Sequence, residues 1–158
     1  MPVGAGAIIA IAALALACPA AAMNSWCNVT IANHTVSLGS LTSSNFTTTI
    51  IENNAIGNVT LDTGFCATTV HSACGVPAVF ALIQNGRCLD AFESITGPAE
   101  AVGQHVVVKA WSTMTTAVAT VTFRCNPAIP TGTAVLAQPV QRLSVADYTI
   151  DFNTAAVC

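Results

Sequence analysis

The histidines and paired carboxylates are the residues of this chain most suited to catalysis, and their spacing does not favour it. None of the three histidines, His34, His71 and His105, has an acidic residue close by in sequence to orient its ring. No G-x-S-x-G or H-E-x-x-H motif occurs. Asp147 and Asp151 flank one predicted strand and suit the paired carboxylates of a glycosidase, but a solvated strand edge explains them more simply. We therefore expect a protein that is not an enzyme.

The cysteines offer either a metal site or disulfide bridges. His71 and Cys74, beside Cys66 and Cys88, invite a zinc interpretation, but this spacing fits no standard zinc motif. Cysteines of secreted proteins generally pair, so we expect no metal and no other cofactor. Once Cys18 is removed with a predicted leader, six cysteines remain, and they predict three disulfides among 15 possible pairings. The six are Cys27, Cys66, Cys74, Cys88, Cys125 and Cys158.

Three aromatic residues could line a binding site or pack in the core. Tyr148 could bond a ligand through its hydroxyl, whereas the alternative is a strand tyrosine packed beside a disulfide. Trp26 and Trp111 could stack on a sugar face, and core packing is the alternative for both.

The composition is that of one secreted domain. The chain has 158 residues, 53% of them apolar and 7% charged, with a net charge of −3. Cytosolic proteins normally carry about 25% charged residues. No basic cluster offers contacts to a phosphate backbone, so we expect no nucleic-acid partner.

The N-terminal residues predict a signal peptide over 1–22. An apolar run over 6–18 precedes Pro19 and the small residues Ala20, Ala21 and Ala22. This order is typical of a secretory leader cleaved after Ala22, and an uncleaved anchor is the alternative. We expect a single mature domain over 23–158, without a membrane span, that is secreted or retained in the lumen of the secretory pathway.

Four glycosylation sequons support the same compartment. All lie in the first third of the mature chain, and four grouped together suggest one glycan-shielded face. They begin at Asn28, Asn33, Asn45 and Asn58.

Alternating residues predict an all-β fold. In 117–125 one face carries Ala, Val and Phe, and Tyr148, Ile150 and Phe152 share one face of the closing strand. Further strands are predicted at 29–32, 34–38, 47–51, 59–62, 79–84 and 105–111. Turn residues separate them at a spacing typical of a disulfide-stapled antiparallel β-sandwich or flattened barrel. Segment 89–103 is the least strand-like, and its Asp90 and Glu93 could open a helical turn.

The layout of the last two predicted strands favours one disulfide in particular. Cys125 ends one strand, and Cys158 follows the other. A bridge between them would pin neighbouring strands together and close the sheet.

These strands resemble the mannose 6-phosphate receptor homology domain, a lectin module of the secretory pathway. The resemblance rests on "VTFRC" at 121–125, "YTIDFNTAAVC" at 148–158, and "TVSLGSLTSS" with Leu38 and Leu41. The segments "LDTGFC", "SAC" and "GRC" correspond to the middle cysteines of the family. The resemblance implies the pairings Cys27–Cys66, Cys74–Cys88 and Cys125–Cys158.

The resemblance also implies a sugar site built from Gln, Arg, Glu and Tyr. Tyr148 corresponds to the tyrosine, and Gln84 or Gln104 could supply the glutamine. Ala117 stands where the arginine is expected. No carboxylate lies between Cys125 and Asp147, where the glutamate is expected, but Gln138 and Gln141 do.

We therefore expect a secretory-pathway domain that binds a glycan or glycoprotein through an altered or degenerate site. The candidate contacts are Tyr148, Gln84, Gln104 and Gln141. The alternative is a secreted β-sandwich that binds lipid or protein, or a structural component of a surface assembly. The sequence makes no prediction about the oligomeric state.

Overall fold

The computed structural model describes residues 25–31 and 33–158 and shows an all-β fold. The predicted signal peptide and its cleavage site lie outside the described residues. Val, Ile and Thr favour extended backbone because of their branched Cβ, and helix is limited to three short 3-10 turns among the described residues: Ser25–Cys27, Leu38–Ser40 and Ala155–Val157. The strands are β1 (Asn28–Ile31), β2 (His34–Ser37), β3 (Ser44–Glu52), β4 (Ala55–Thr63), β5 (Thr69–Val70), β6 (Pro77–Ala78), β7 (Phe80–Gln84), β8 (Arg87–Phe92), β9 (Ser94–Ile95), β10 (Glu100–Val102), β11 (His105–Trp111), β12 (Val118–Cys125), β13 (Val135–Leu136), β14 (Val140–Ser144) and β15 (Asp147–Thr154).

Eight long strands form a nearly closed barrel, which confirms the predicted fold class. Their order is β11-β12-β15-β14-β3-β4-β7-β8. Just beyond β8, β9 pairs with β11 and brings the sheet back to its first strand. Most neighbours are antiparallel, but β12–β15 and β14–β3 are parallel. Parallel neighbours need a long connection, and residues 126–146 provide one between β12 and β15.

Strand directions place four hairpin turns at one end of the barrel, which we call the mouth. Strands β3, β7, β11 and β14 run toward this end, and β4, β8, β12 and β15 run away from it. Turns 53–54, 85–86, 112–117 and 145–146 therefore surround the mouth.

The barrel interior is filled by side chains. Phe65 lies at the centre of an aromatic cluster and contacts the rings of Phe80, Phe123 and Phe152 at centroid distances of 5.5–6.4 Å. The predicted inward faces of 117–123 and of Tyr148, Ile150 and Phe152 are buried. The period-two pattern therefore predicted the orientation of these two strands correctly.

Three disulfides fasten the barrel, and their pairs are those that the resemblance implies. They are Cys27–Cys66, Cys74–Cys88 and Cys125–Cys158. In the last, the Cα atoms lie 4.7 Å apart, and the bridge ties the end of β12 to the turn after β15. Among the described residues, no helix has the length and apolar character needed to cross a membrane.

The helical turn predicted within 89–103 is wrong. Asp90 lies inside β8 and is fully buried, and Glu93 separates β8 from β9. Pairing of β8 with β7 and of β9 with β11 supplies backbone hydrogen bonds that a helical turn would forgo.

Candidate functional site

Polar side chains from five strands share the inward face near the mouth. Successive side chains of a strand point to opposite faces, and these polar residues alternate in step with buried apolar neighbours such as Ile50, Val140 and Ile150. Register places Arg142 directly beside both Glu52 and Tyr148. We call these five residues the mouth cluster: Glu52, Gln84, Asp90, Arg142 and Tyr148.

Arg142 is the centre of this cluster. Its Nη1 donates to both carboxylate oxygens of Glu52 at 3.2 Å, and its Nη2 donates to the carbonyl of Val145 at 3.3 Å. Its guanidinium carbon lies 5.4 Å from the centre of the Tyr148 ring, within cation–π range. The side chain of Arg142 is 19% exposed and that of Glu52 is 39% exposed, so both remain accessible from the mouth. The Nε of Arg142 is buried and has no hydrogen-bond partner.

Tyr148 forms the floor beneath this ion pair. Its ring meets the ring of Phe92 edge-on, with centroids 5.5 Å apart. Burial raises the pKa of Tyr148 to about 12, the guanidinium of Arg142 opposes this rise, and the carboxylates of Asp90 and Glu52 add to it. The phenol therefore stays protonated and neutral at physiological pH.

Asp90 connects the floor of the mouth to the longest of its four turns. One carboxylate oxygen accepts from the hydroxyl of Thr115 at 2.7 Å, and the other accepts from the backbone N–H of Ala91 at 2.9 Å. The next residue, Thr116, has a φ of 60°, a conformation that strains a β-branched residue. Such strain persists only where surrounding contacts hold it, and the bond from Thr115 to Asp90 is one of them.

Gln84 lies on the same inward face, beside a cleft. Its Nε2 lies only 2.7 Å from the point that a Cβ on Gly57 would occupy, so the missing side chain of Gly57 makes room for the amide. Gln84 also lines a surface cleft of about 520 Å³ together with Asn85, Arg87, Cys88 and Leu89.

The structure separates the other two predicted contacts from the mouth. Gln104 is exposed in the turn between β10 and β11, which lies at the opposite end of the barrel. Gln141 lies on β14 between Arg142 and Val140, so it faces outward. Of the four candidate contacts, only Tyr148 and Gln84 lie on the inward face near the mouth, and Tyr148 is buried there.

Sequence reasoning missed the three charged members of the mouth cluster. It placed Asp90 in a helical turn, and it did not consider Arg142 and Glu52. They lie 90 positions apart, and the parallel pairing of β14 with β3 brings them together. Segment 140–144 was not among the predicted strands. The one available signal was its period-two placement of Arg142 with Val140.

A second buried polar group joins an acid to a histidine on the outside of the barrel. The Nδ1 of His71 lies 3.3 Å from the carboxylate of Asp62, and its Nε2 lies 3.0 Å from the Thr69 hydroxyl and 3.2 Å from the carbonyl of Ala78. These contacts fasten segment 64–79 to β4. Cys74, the neighbour that suggested zinc, is bonded to Cys88.

The expectation of a solvated edge for Asp147 and Asp151 is half wrong. Asp147 is exposed, but Asp151 is buried on the outer face. The connection between β12 and β14 folds back over Asp151, which accepts from Arg124 at 3.2 Å and from the Gln138 amide.

The four sequon asparagines are all exposed. Asn45 and Asn58 lie on the outer face of β3 and β4, opposite the inward face that carries the mouth cluster. Glycans at these two positions would leave the mouth open.

Comparison with known proteins indicates no function for this chain. No family model matches the chain, and no curated protein matches it.

Proposed function

We propose that the mouth binds a carbohydrate, in the manner of the mannose 6-phosphate receptor homology lectins but with an altered site. The observation that carries this proposal is the composition of the mouth cluster. Gln, Arg, Glu and Tyr, the four side-chain types of that family's sugar site, all face inward at one end of the barrel. Arg142 on β14 and Glu52 on β3 lie at positions other than those the resemblance implies, which are position 117 for the arginine and the loop before Tyr148 for the glutamate.

The chemistry of the cluster suits vicinal sugar hydroxyls. The fork of Arg142 and the carboxylate of Glu52 present donors and acceptors side by side in one ion pair. Tyr148 holds the guanidinium plane from below.

Charge favours a neutral sugar over a phosphorylated one. Two carboxylates and one guanidinium leave the mouth cluster with a net charge of −1. A phosphate would meet the carboxylates of Glu52 and Asp90, and Arg142 is already paired. We therefore expect neutral hexoses to bind better than phosphomannose.

The filled interior is evidence against the alternative of a lipid bound inside the barrel. A lipid inside the barrel would need the volume that the Phe65, Phe80, Phe123 and Phe152 rings occupy. No observation favours a purely structural role over sugar binding.

A glycan array tests the proposal. We expect the protein, purified after secretion from a eukaryotic host, to bind neutral mannose-type glycans, and Arg142→Lys to weaken this binding at least tenfold because Lys cannot form the bidentate contact. Arg124→Lys is the matched control, since Arg124 also pairs with a carboxylate but lies on the outer face.

Two results would overturn the proposal. One is the absence of binding across neutral and phosphomannosyl glycans by the folded protein. The other is an equal loss of binding in the Arg142 and Arg124 variants.

A further inference from the structure

Arg87 carries an unpaired positive charge beside the mouth cluster. Its side chain is exposed, and its guanidinium has no ion pair and no hydrogen bond with any of the described residues. The other two arginines differ, because Arg124 is paired with Asp151 and Arg142 is paired with Glu52. Arg87 therefore keeps all of its guanidinium N–H donors for a ligand.

The hairpin between β7 and β8 places Arg87 next to Gln84. Asn85 and Gly86 have φ values of 52° and 72°, as in the two-residue type I′ turns that fit the twist of paired strands. Gln84 and Arg87 pair directly across this turn, so their side chains lie on the same face, with Cβ atoms about 5 Å apart. Because Gln84 belongs to the mouth cluster, Arg87 extends this polar face by one strand.

The cleft that Gln84 and Arg87 line has room for a sugar ring. Its volume of about 520 Å³ lies within the range of small-molecule sites, roughly 300–1,000 Å³. The amides of Gln84 and Asn85 and the guanidinium of Arg87 supply donors. Leu89 is half-buried in the same cleft and supplies apolar surface for the C–H face of a ring. This composition suits a second sugar subsite beside the mouth.

An unpaired guanidinium favours an anionic group on that second sugar. The guanidinium fork bonds a carboxylate bidentately, and charge-assisted hydrogen bonds are about twice as strong as those to a neutral hydroxyl. A phosphate monoester carries between about 1.5 and 2 negative charges at pH 7, whereas a carboxylate carries one. A single unpaired guanidinium therefore balances a carboxylate more completely than a phosphate.

We propose that the cleft binds a sugar that carries a carboxylate, linked to the neutral hexose in the mouth, and that Arg87 bonds this carboxylate. The inference rests on the proposed function and extends it, because the ligand becomes an acidic oligosaccharide in which a hexose is joined to a uronic acid. Gln84 lies where the two subsites meet, since it belongs to the mouth cluster and also lines the cleft.

A pair of matched ligands tests the carboxylate. Isothermal titration calorimetry compares a mannosyl-glucuronic acid disaccharide with its methyl ester, which has nearly the same shape and no charge. We expect the purified secreted protein to bind the acid at least about tenfold more tightly than the ester, because the ester cannot form the charged bidentate contact.

Two variants locate the effect. Arg87→Gln should reduce the preference for the acid over the ester to less than about threefold, because the amide carries no charge. Lys109→Gln is the matched control and should keep the full preference. Lys109 is also exposed and without an ion pair among the described residues, but it lies on the outer face of β11.

The outcomes separate this inference from the proposed function. Equal affinity for the acid and the ester would overturn the inference alone, as would failure to bind either disaccharide by a protein that binds neutral glycans on the array. The inference also falls if Arg87→Gln keeps the preference or if Lys109→Gln loses it to the same extent. Binding of the acid through Arg87 without any binding of neutral glycans would support the cleft and overturn the proposed function. Absence of all glycan binding would overturn both.

Discussion

At the scale of single residues, Arg142 shows how one side chain organises a site. It contacts a carboxylate from β3, a carbonyl from its own turn and the ring of a tyrosine from β15. Its neighbour Gln141, on the same strand, faces the other way. The face on which a residue lies therefore decides whether it belongs to the mouth.

Tyr148 gives a pH-dependent prediction. Its pKa is about 12 in the folded protein and about 10 when unfolded, so the folded state retains a proton that the unfolded state loses. The free energy of unfolding should therefore be unaffected by this group below pH 10 and should fall as the pH rises from 10 to about 12. Phenolate absorbance reads the group directly, because the chain has one tyrosine. A phenolate midpoint near pH 10 in the folded protein would contradict the burial, and Tyr148→Phe should lack this part of the pH dependence.

His71 gives a prediction about the segment that it anchors. His71→Ala leaves Asp62 without its ring partner and should lower the free energy of unfolding by roughly 1–3 kcal/mol. Hydrogen exchange should quicken in 64–79 before it does in the barrel strands. The exposed His34 is the control, and His34→Ala should change stability by less than about 0.5 kcal/mol. If the two substitutions changed the free energy of unfolding equally, the buried contacts of His71 would contribute nothing to stability.

At the scale of the elements, the sequence predicted the strands that have a clear local pattern. It did not predict the features that depend on pairing between distant segments. Strands β11 and β12 were predicted within one residue of their bounds, and the residues that share one face of β15 were predicted correctly, because one face of each strand is apolar and the period is unbroken. Segment 89–103 was misread because a bulge interrupts the β7–β8 register, and because β9 pairs with β11 and not with the strand next to it in sequence. The mouth cluster was predicted in part, since the resemblance offered Tyr148 and, as one of two choices for the glutamine, Gln84. Arg142 and Glu52 depend on a parallel pairing across 90 positions.

The turn after β4 gives a prediction about backbone packing. A Cβ on Gly64 would lie 2.0 Å from the carbonyl oxygen of Ala67, closer than any real contact. Gly64→Ala must therefore shift the backbone, and should cost at least about 1–3 kcal/mol. Gly75→Ala meets no atom within 4 Å and carries only the cost of its positive φ, about 1–2 kcal/mol. Urea unfolding of the two variants compares these costs, and a neutral Gly64→Ala would contradict the geometry of this turn.

At the scale of the whole molecule, the disulfides hold together a chain with few charges. Two ion pairs, Arg124–Asp151 and Arg142–Glu52, and one contact between a histidine and a carboxylate join the described residues. Covalent links therefore supply constraints that charged networks provide in other proteins. The most separated pairs, Cys27–Cys66 and Cys125–Cys158, span 39 and 33 positions, and Cys74–Cys88 spans 14.

Removing each bridge by paired Cys→Ala substitution should lower the free energy of unfolding, and the loss should be larger for a bridge that spans more residues. Loop-closure entropy predicts losses of about 4 kcal/mol for either long span and about 3 kcal/mol for the short one. Denaturant unfolding measures the three losses. A larger loss for Cys74–Cys88 than for the other two would show that native contacts beside β8, rather than chain entropy, determine the value of that bridge.

The placement of four hairpins around one opening has a consequence for engineering. Each turn returns directly to the neighbouring strand, and none of the four contains a cysteine. Foreign peptides grafted at 53–54 and 145–146 would thus be displayed side by side without disturbing a covalent bridge. A combinatorial library at these tips would make the barrel a scaffold for selecting new recognition properties.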